Sequence, residues 1–114
     1  MEPGRVLVVE DEPDLRVLLE MYLRRRGFQV VTAASAEDAL ALGDSEPFLA
    51  CLVDASLPGL SGVELIRTLS SRHSQARMIL MSGYPAAQAG VAPGVIFLHK
   101  PFKPVELIAA LEGR

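Results

Sequence analysis

The sequence has one cysteine, no apolar run of membrane length and no large excess of charge of either sign. Cys51 cannot close a disulfide within the chain, and it lies in an apolar stretch where a thiol behaves as a small hydrophobe. That usage fits a reducing compartment, so a cytoplasmic location is expected. No apolar stretch approaches the roughly 20 residues that a membrane span needs, so no membrane partner is expected. The start, Met1-Glu-Pro-Gly-Arg5, reads as no secretory leader. The net charge of −3 argues against direct binding to nucleic acid. Internal repeats, low-complexity tracts and linkers are also missing. With 114 residues, half of them hydrophobic, residues 1–114 are expected to form a single domain with a sizeable core.

What is there is organised around Leu49-Ala-Cys-Leu-Val-Asp54-Ala-Ser-Leu-Pro58-Gly59. Leu49 to Val53 is too short for a helix and too apolar for a surface loop. Bounded by Pro47 and Pro58-Gly59, it reads as a strand buried on both faces. Asp54 then stands at the strand's carboxyl end, where open parallel sheets place their chemistry.

The remaining chain repeats one unit. Val6–Val9 is a strand ending in Glu10-Asp11-Glu12. Pro13 opens a helix lined by Leu15, Leu18, Leu19 and Tyr22, which Gly27 ends. Phe28–Val31 is a second strand. Ser35 caps a second helix with Ala39 and Leu40 inward, ended by Gly43. Ser61 and Glu64 form a capping box for a third helix lined by Val63, Leu65, Ile66 and Leu69. Arg77–Met81 and Val95–Leu98 are strands four and five. Val105, Leu107, Ile108 and Leu111 mark the last helix. Short apolar strands joined by helical crossovers predict an α/β fold, a parallel five-stranded sheet with helices on both faces. Right-handed crossovers favour the flavodoxin-like (βα)5 sandwich with strand order 2-1-3-4-5. Between Gly83 and Gly94, prolines and glycines leave room only for a short or irregular fourth helix.

The polar residues that interrupt this pattern gather at one sheet edge. Glu10 and Asp11 follow strand one, Asp54 strand three, Ser82 strand four and Lys100 strand five. Singly, each has a commonplace reading: a turn cap, early-helix acids, a turn hydroxyl, a solvated amine. Together, the carboxylates would repel without a counter-charge, so one takes a proton or a cation moves in. Oxygen-only ligands suit Mg²⁺. No His or Cys stands there in ligand spacing, which argues against zinc, and alternation turns His99 away. A metal, a carboxylate, a hydroxyl and an ammonium make a phosphoryl site, in which the carboxylate is the nucleophile.

The chain resembles the receiver domain of two-component response regulators over essentially its whole length. The resemblance is carried by Leu7-Val-Val-Glu10-Asp11-Glu12, Asp54-Ala-Ser-Leu-Pro58-Gly-Leu-Ser-Gly62, Met81-Ser82-Gly83 and Lys100-Pro101-Phe102. It implies that Asp54 accepts a phosphoryl group from a histidine kinase or phosphotransfer domain. It implies that Glu10, Asp11, Asp54 and the backbone carbonyl of Ser56 hold Mg²⁺. Lys100 would pair with phosphoryl oxygens, Ser82 would be the switch hydroxyl, and Phe97 matches the aromatic switch position. A cis bond into Pro101 is also implied. The resemblance allows a weak homodimer and leaves the output partner open. The phrasing around Ser82 and Lys100 is similar to receivers at the end of hybrid sensor kinases.

Departures from the family's commonest pattern are Glu10 for an Asp, Phe97 without a hydroxyl, and Ser56 and Tyr84 at positions that modulate dephosphorylation. Two other readings remain. One is an unphosphorylated interaction module, which would usually have lost an acid or the lysine. The other is an aspartyl phosphohydrolase, which needs a second Asp where this chain has Ser56.

Overall fold

The computed structural model describes residues 4–43, 46–84, 91 and 93–113. The elements are β1 (Arg5–Val9), α1 (Pro13–Arg25), β2 (Gln29–Ala33), α2 (Ala36–Leu40), β3 (Ala50–Asp54), α3 (Gly62–Arg72), β4 (Arg77–Ser82), β5 (Ile96–His99) and α4 (Pro104–Leu111). All strand pairs are parallel, in the order β2-β1-β3-β4-β5 expected from the sequence. The segment expected to hold a short or irregular fourth helix falls largely at 85–90 and 92, outside the described residues.

Alternation along the strands splits the core into two layers. Val6, Val8, Ala50, Leu52, Ile79, Met81 and Leu98 face α1 and α4. Leu7, Val9, Cys51, Val53, Met78 and Leu80 face α2 and α3. All five residues of β3 are buried, as expected for a strand covered on both faces.

The predicted helix starts hold. Ser35 Oγ accepts from Asp38 N at 3.0 Å. Ser61 Oγ accepts from Glu64 N at 3.2 Å while Ser61 N donates back to Glu64 Oε1 at 3.3 Å. Three expectations need correction. Helix α2 ends at Leu40, three residues before Gly43, because Ala41 already caps it. Each strand from β2 to β5 ends one or two residues later than the apolar run, since ladder pairing carries on through the first polar residue, and in β2 past Thr32 to Ala33. Leu18 and Val105 satisfy helical spacing but stand at the margin of their apolar stripes, 62% and 66% exposed. Leu18 borders a groove of about 500 Å³ between α1 and α4, lined also by Leu15, Tyr22, Phe102 and Leu107.

Candidate functional site

The carboxyl ends of β1, β3, β4 and β5 form one polar edge. The Val9–Val53 pair is the last of the β1–β3 ladder, so the next residues, Glu10 and Asp54, emerge side by side. Both are nearly inaccessible, at 1% and 4% exposed. Glu10 N donates to Ala33 O at 3.1 Å, and Arg16 holds the Glu10 carbonyl at 2.9 Å. Ala55 N donates to Met81 O at 2.8 Å, which ties the residue after Asp54 to β4. Lys100 N donates to Ser82 O at 2.9 Å. The Lys100–Pro101 bond is cis, as the resemblance implied.

The Lys100 ammonium lies between the two buried acids, 2.8 Å from Glu10 Oε1 and 3.3 Å from Asp54 Oδ1. Glu12 N donates to Glu10 Oε2 at 3.2 Å, and Ser56 N to Asp54 Oδ1 at 3.2 Å. Burial pushes the Glu10 carboxyl up from 4.5 to about 6; the Lys100 bond pulls against this and Asp54 adds to it. Burial alone would lower the Lys100 amine. The bond to Glu10 and the charge of Asp54 outweigh it, so the amine is raised and stays charged.

Asp11 completes the cluster from the exposed side. Glu10, Asp11 and Asp54 each offer an oxygen, all within 4.8 Å of one another. One ammonium against three carboxylates leaves the cleft negative. The donors are all oxygen and one of them is open to water, which suits a hard divalent cation such as Mg²⁺. Ser56, Gly83 and Tyr84 line the same cleft, so the Ser56 backbone stands beside the acids.

Ser82 is placed differently from its neighbours. It is buried, but Tyr84 N donates to its Oγ at 2.9 Å and the hydroxyl donates to Tyr84 O at 3.2 Å. The hydroxyl is thus engaged with the next loop and does not line the acidic cleft. Phe97 is half-buried on the α2–α3 face, its ring edge-on to exposed His99 with centroids 5.2 Å apart. His99 is exposed and does not line the acidic cleft.

Sequence reasoning missed two supports. Arg16 carries no spacing signal of its own, yet its side chain reaches across the turn before α1 to the Glu10 carbonyl, six residues back. Gly62 opens α3 in close contact with the Asp54–Ala55 backbone. A poor helix former at the first position of a well-capped helix was the signal there.

Residues 6–112 match the family model of the response regulator receiver domain. The chain is 37% identical over 105 residues to the response regulator protein PilR of Pseudomonas aeruginosa, covering 89% of this chain and 24% of PilR. It spans a quarter to about half the length of the curated relatives it matches. The structure of the response regulator TrrA of Thermotoga maritima, in complex with Mg²⁺-BeF, superposes with TM-score 0.81 at 28% identity, over 99% of this chain and 98% of that one. The receiver domain of the Pseudomonas aeruginosa sensor histidine kinase PA1611, with magnesium in its active-site cleft, gives TM-score 0.81 at 28% identity, over 96% and 95%.

Proposed function

Because this chain belongs to the response regulator receiver domain family, we propose that it is a phosphoacceptor whose state is set at Asp54 by a histidine kinase or phosphotransfer domain. The observation that carries the reading is the Lys100 ammonium held between Glu10 and Asp54 at the carboxyl edge of the sheet. An interaction module needs no such set. A phosphohydrolase would need an acid at position 56, which is Ser.

Receiver domains are typically non-enzymatic phosphoacceptors, and the step assigned to this one is a single transfer to itself. An Asp54 carboxylate oxygen forms a bond to phosphorus as the donor's P–N bond breaks, or the P–O bond of a small acyl phosphate. The electron pair leaves with the donor group. Ser56 N and Lys100 hold the carboxylate from its Oδ1 side. As charge builds on the phosphoryl oxygens, Lys100 exchanges its carboxylate partners for them, with no new charge to bring in. Glu10, Asp11, Asp54 and the Ser56 carbonyl are the residues assigned to hold Mg²⁺, which supplies positive charge to the same oxygens when bound.

The switch roles follow from the same placement. Ser82 Oγ can give a phosphoryl oxygen the hydrogen bond it now gives Tyr84 O, so its transfer frees the Tyr84 carbonyl. Phe97, half-buried on β5, is assigned as the aromatic that follows. Slow loss of the phosphoryl group to water, a cytoplasmic location and a single domain over 1–114 complete the reading. None of the helices is long and apolar enough to cross a membrane, among the described residues.

The test is intact-protein mass spectrometry after incubation with Mg²⁺ and acetyl phosphate. The expected result is a gain of one phosphoryl group that disappears in Asp54→Asn. No gain, or a gain that survives the substitution, overturns the assignment.

A further inference from the structure

The loop from Ala55 to Ser61 leaves the sheet at Asp54 and returns to almost the same place. Gly62, the first residue of α3, closes its neck: Gly62 N faces Ala55 O at 3.4 Å. A Cβ built on Gly62 would lie 2.8 Å from Ala55 Cα and 2.9 Å from the Asp54 carbonyl carbon, and closer still to the Asp54 carbonyl oxygen. These are backbone atoms, so no side chain can swing aside. Gly62 is not among the glycines with positive φ, so the missing Cβ serves close approach alone.

What would yield is decided by the anchors on either side. Helix α3 is fixed by Leu65, Ile66 and Leu69, all buried, and by the Ser61–Glu64 box. Asp54 is the last residue of a fully buried strand, and Ala55 N is bonded to Met81 O. Between them lie exposed Ser56, Pro58 and Gly59, with only Leu57 buried. A side chain at 62 therefore displaces the Ala55–Ser56 backbone, which carries the N–H that fixes Asp54 Oδ1 and the carbonyl assigned to the metal.

We propose that Gly62 is a positioning residue for the cation site: by letting α3 touch the Asp54–Ala55 backbone, it sets the Ser56 peptide against the three carboxylates. This rests on the Mg²⁺ reading given above. The Ser56 peptide is then held by a contact made eight residues past Asp54, so metal affinity and helix docking are linked through one atom-to-atom approach.

The test measures Mg²⁺ affinity calorimetrically in the wild-type protein, Gly62→Ala and Gly4→Ala. Gly4 has φ +116° at the opposite sheet edge, and a Cβ there would meet Leu49 Cβ at 3.1 Å, so its substitution strains the fold away from the acids. Gly62→Ala is expected to bind Mg²⁺ about ten- to a hundredfold more weakly, the scale for losing support of a metal ligand. Gly4→Ala is expected to keep the wild-type affinity even where it lowers the melting temperature. Should Gly62→Ala fold incompletely, the comparison is made in a stabilising osmolyte with folding checked by circular dichroism. Unchanged affinity in folded Gly62→Ala, an equal loss in Gly4→Ala, or failure of Gly62→Ala to fold even with osmolyte overturns the proposal. A wild-type protein that does not bind Mg²⁺ overturns the cation reading itself.

Discussion

The two ends of the sheet use charge in opposite ways. At the amino edge, cations meet neutral groups. Arg5 donates to Glu46 O at 3.0 Å and lies 4.4 Å over the Phe48 ring, which in turn sits edge-on to His73. Arg77 donates to Leu111 O, and Arg72 to Leu40 O, each spending its charge on a helix's last carbonyls. At the carboxyl edge, acids outnumber their cation: Glu10 and Asp54 share Lys100, and Asp11 stands within 4.8 Å of both acids. The first edge uses its arginines to tie loops and helix ends together. The second is left with surplus negative charge that a divalent ion can neutralise. At ~3.3 Å per residue, five-residue strands set these edges roughly 15 Å apart, far enough for each to be altered alone.

The largest expected effect comes from removing Lys100, the cation bonded to two of the acids. Lys100→Ala should slow phosphorylation by acetyl phosphate about a hundred- to a thousandfold, the scale for losing one preorganised charge at a reacting centre. Mg²⁺ should bind it at least as tightly as it binds the wild-type protein, because a competing positive charge is gone. A rate series by mass spectrometry, beside calorimetry, separates the two effects. A variant that reacts at the wild-type rate would erase the distinction between the edges.

Breaking the amino edge should do the reverse. Phe48→Ala removes a 4%-exposed ring from between Arg5 and His73 and should cost about 3–5 kcal/mol of stability in urea unfolding. Mg²⁺ affinity of the folded variant should stay within about twofold, since well-separated sites act additively. Coupled losses in both measurements would mean that the edges are not independent.

The smallest effect is a titration. In metal-free protein the Glu10 carboxyl should titrate near 6, above its usual 4.5, chiefly because it is buried. The folded value lies above the unfolded one, so protonation favours the folded state. That contribution is fully present below about 4.5 and is lost as pH rises through about 6. Carbon-detected NMR of the Glu10 carboxyl should show this midpoint, and saturating Mg²⁺ should move it down. A midpoint at or below 4.5 without metal would contradict the buried placement.

How much of this was legible in the sequence differs between the same two regions. The carboxyl edge was readable because polar residues interrupt apolar strands: Glu10, Asp54 and Ser82 each follow an apolar run directly, and Lys100 stands two residues past one. The amino edge was silent. Arg5, Arg72 and Arg77 satisfy carbonyls that adjoin them only after folding, and no spacing announces such bonds. Leu18 and Val105 were misplaced because helical periodicity gives a stripe without its width, and packing against the sheet needs only its centre. The Ser82 hydroxyl could not be located either, since its partner is the backbone of Tyr84 and not another polar side chain.

Manganese is a paramagnetic stand-in for magnesium, and its effect on backbone amide signals reports directly where a divalent ion sits. Sub-stoichiometric Mn²⁺ should broaden the amides of Glu10, Asp11, Asp54, Ser56 and Gly83 first, leave those of Arg5, Phe48 and Arg77 sharp, and be reversed by excess Mg²⁺. Broadening that spares residues 10, 11 and 54, or that spreads evenly over both edges, would contradict the claim that the acids at this end of the sheet form one cation site.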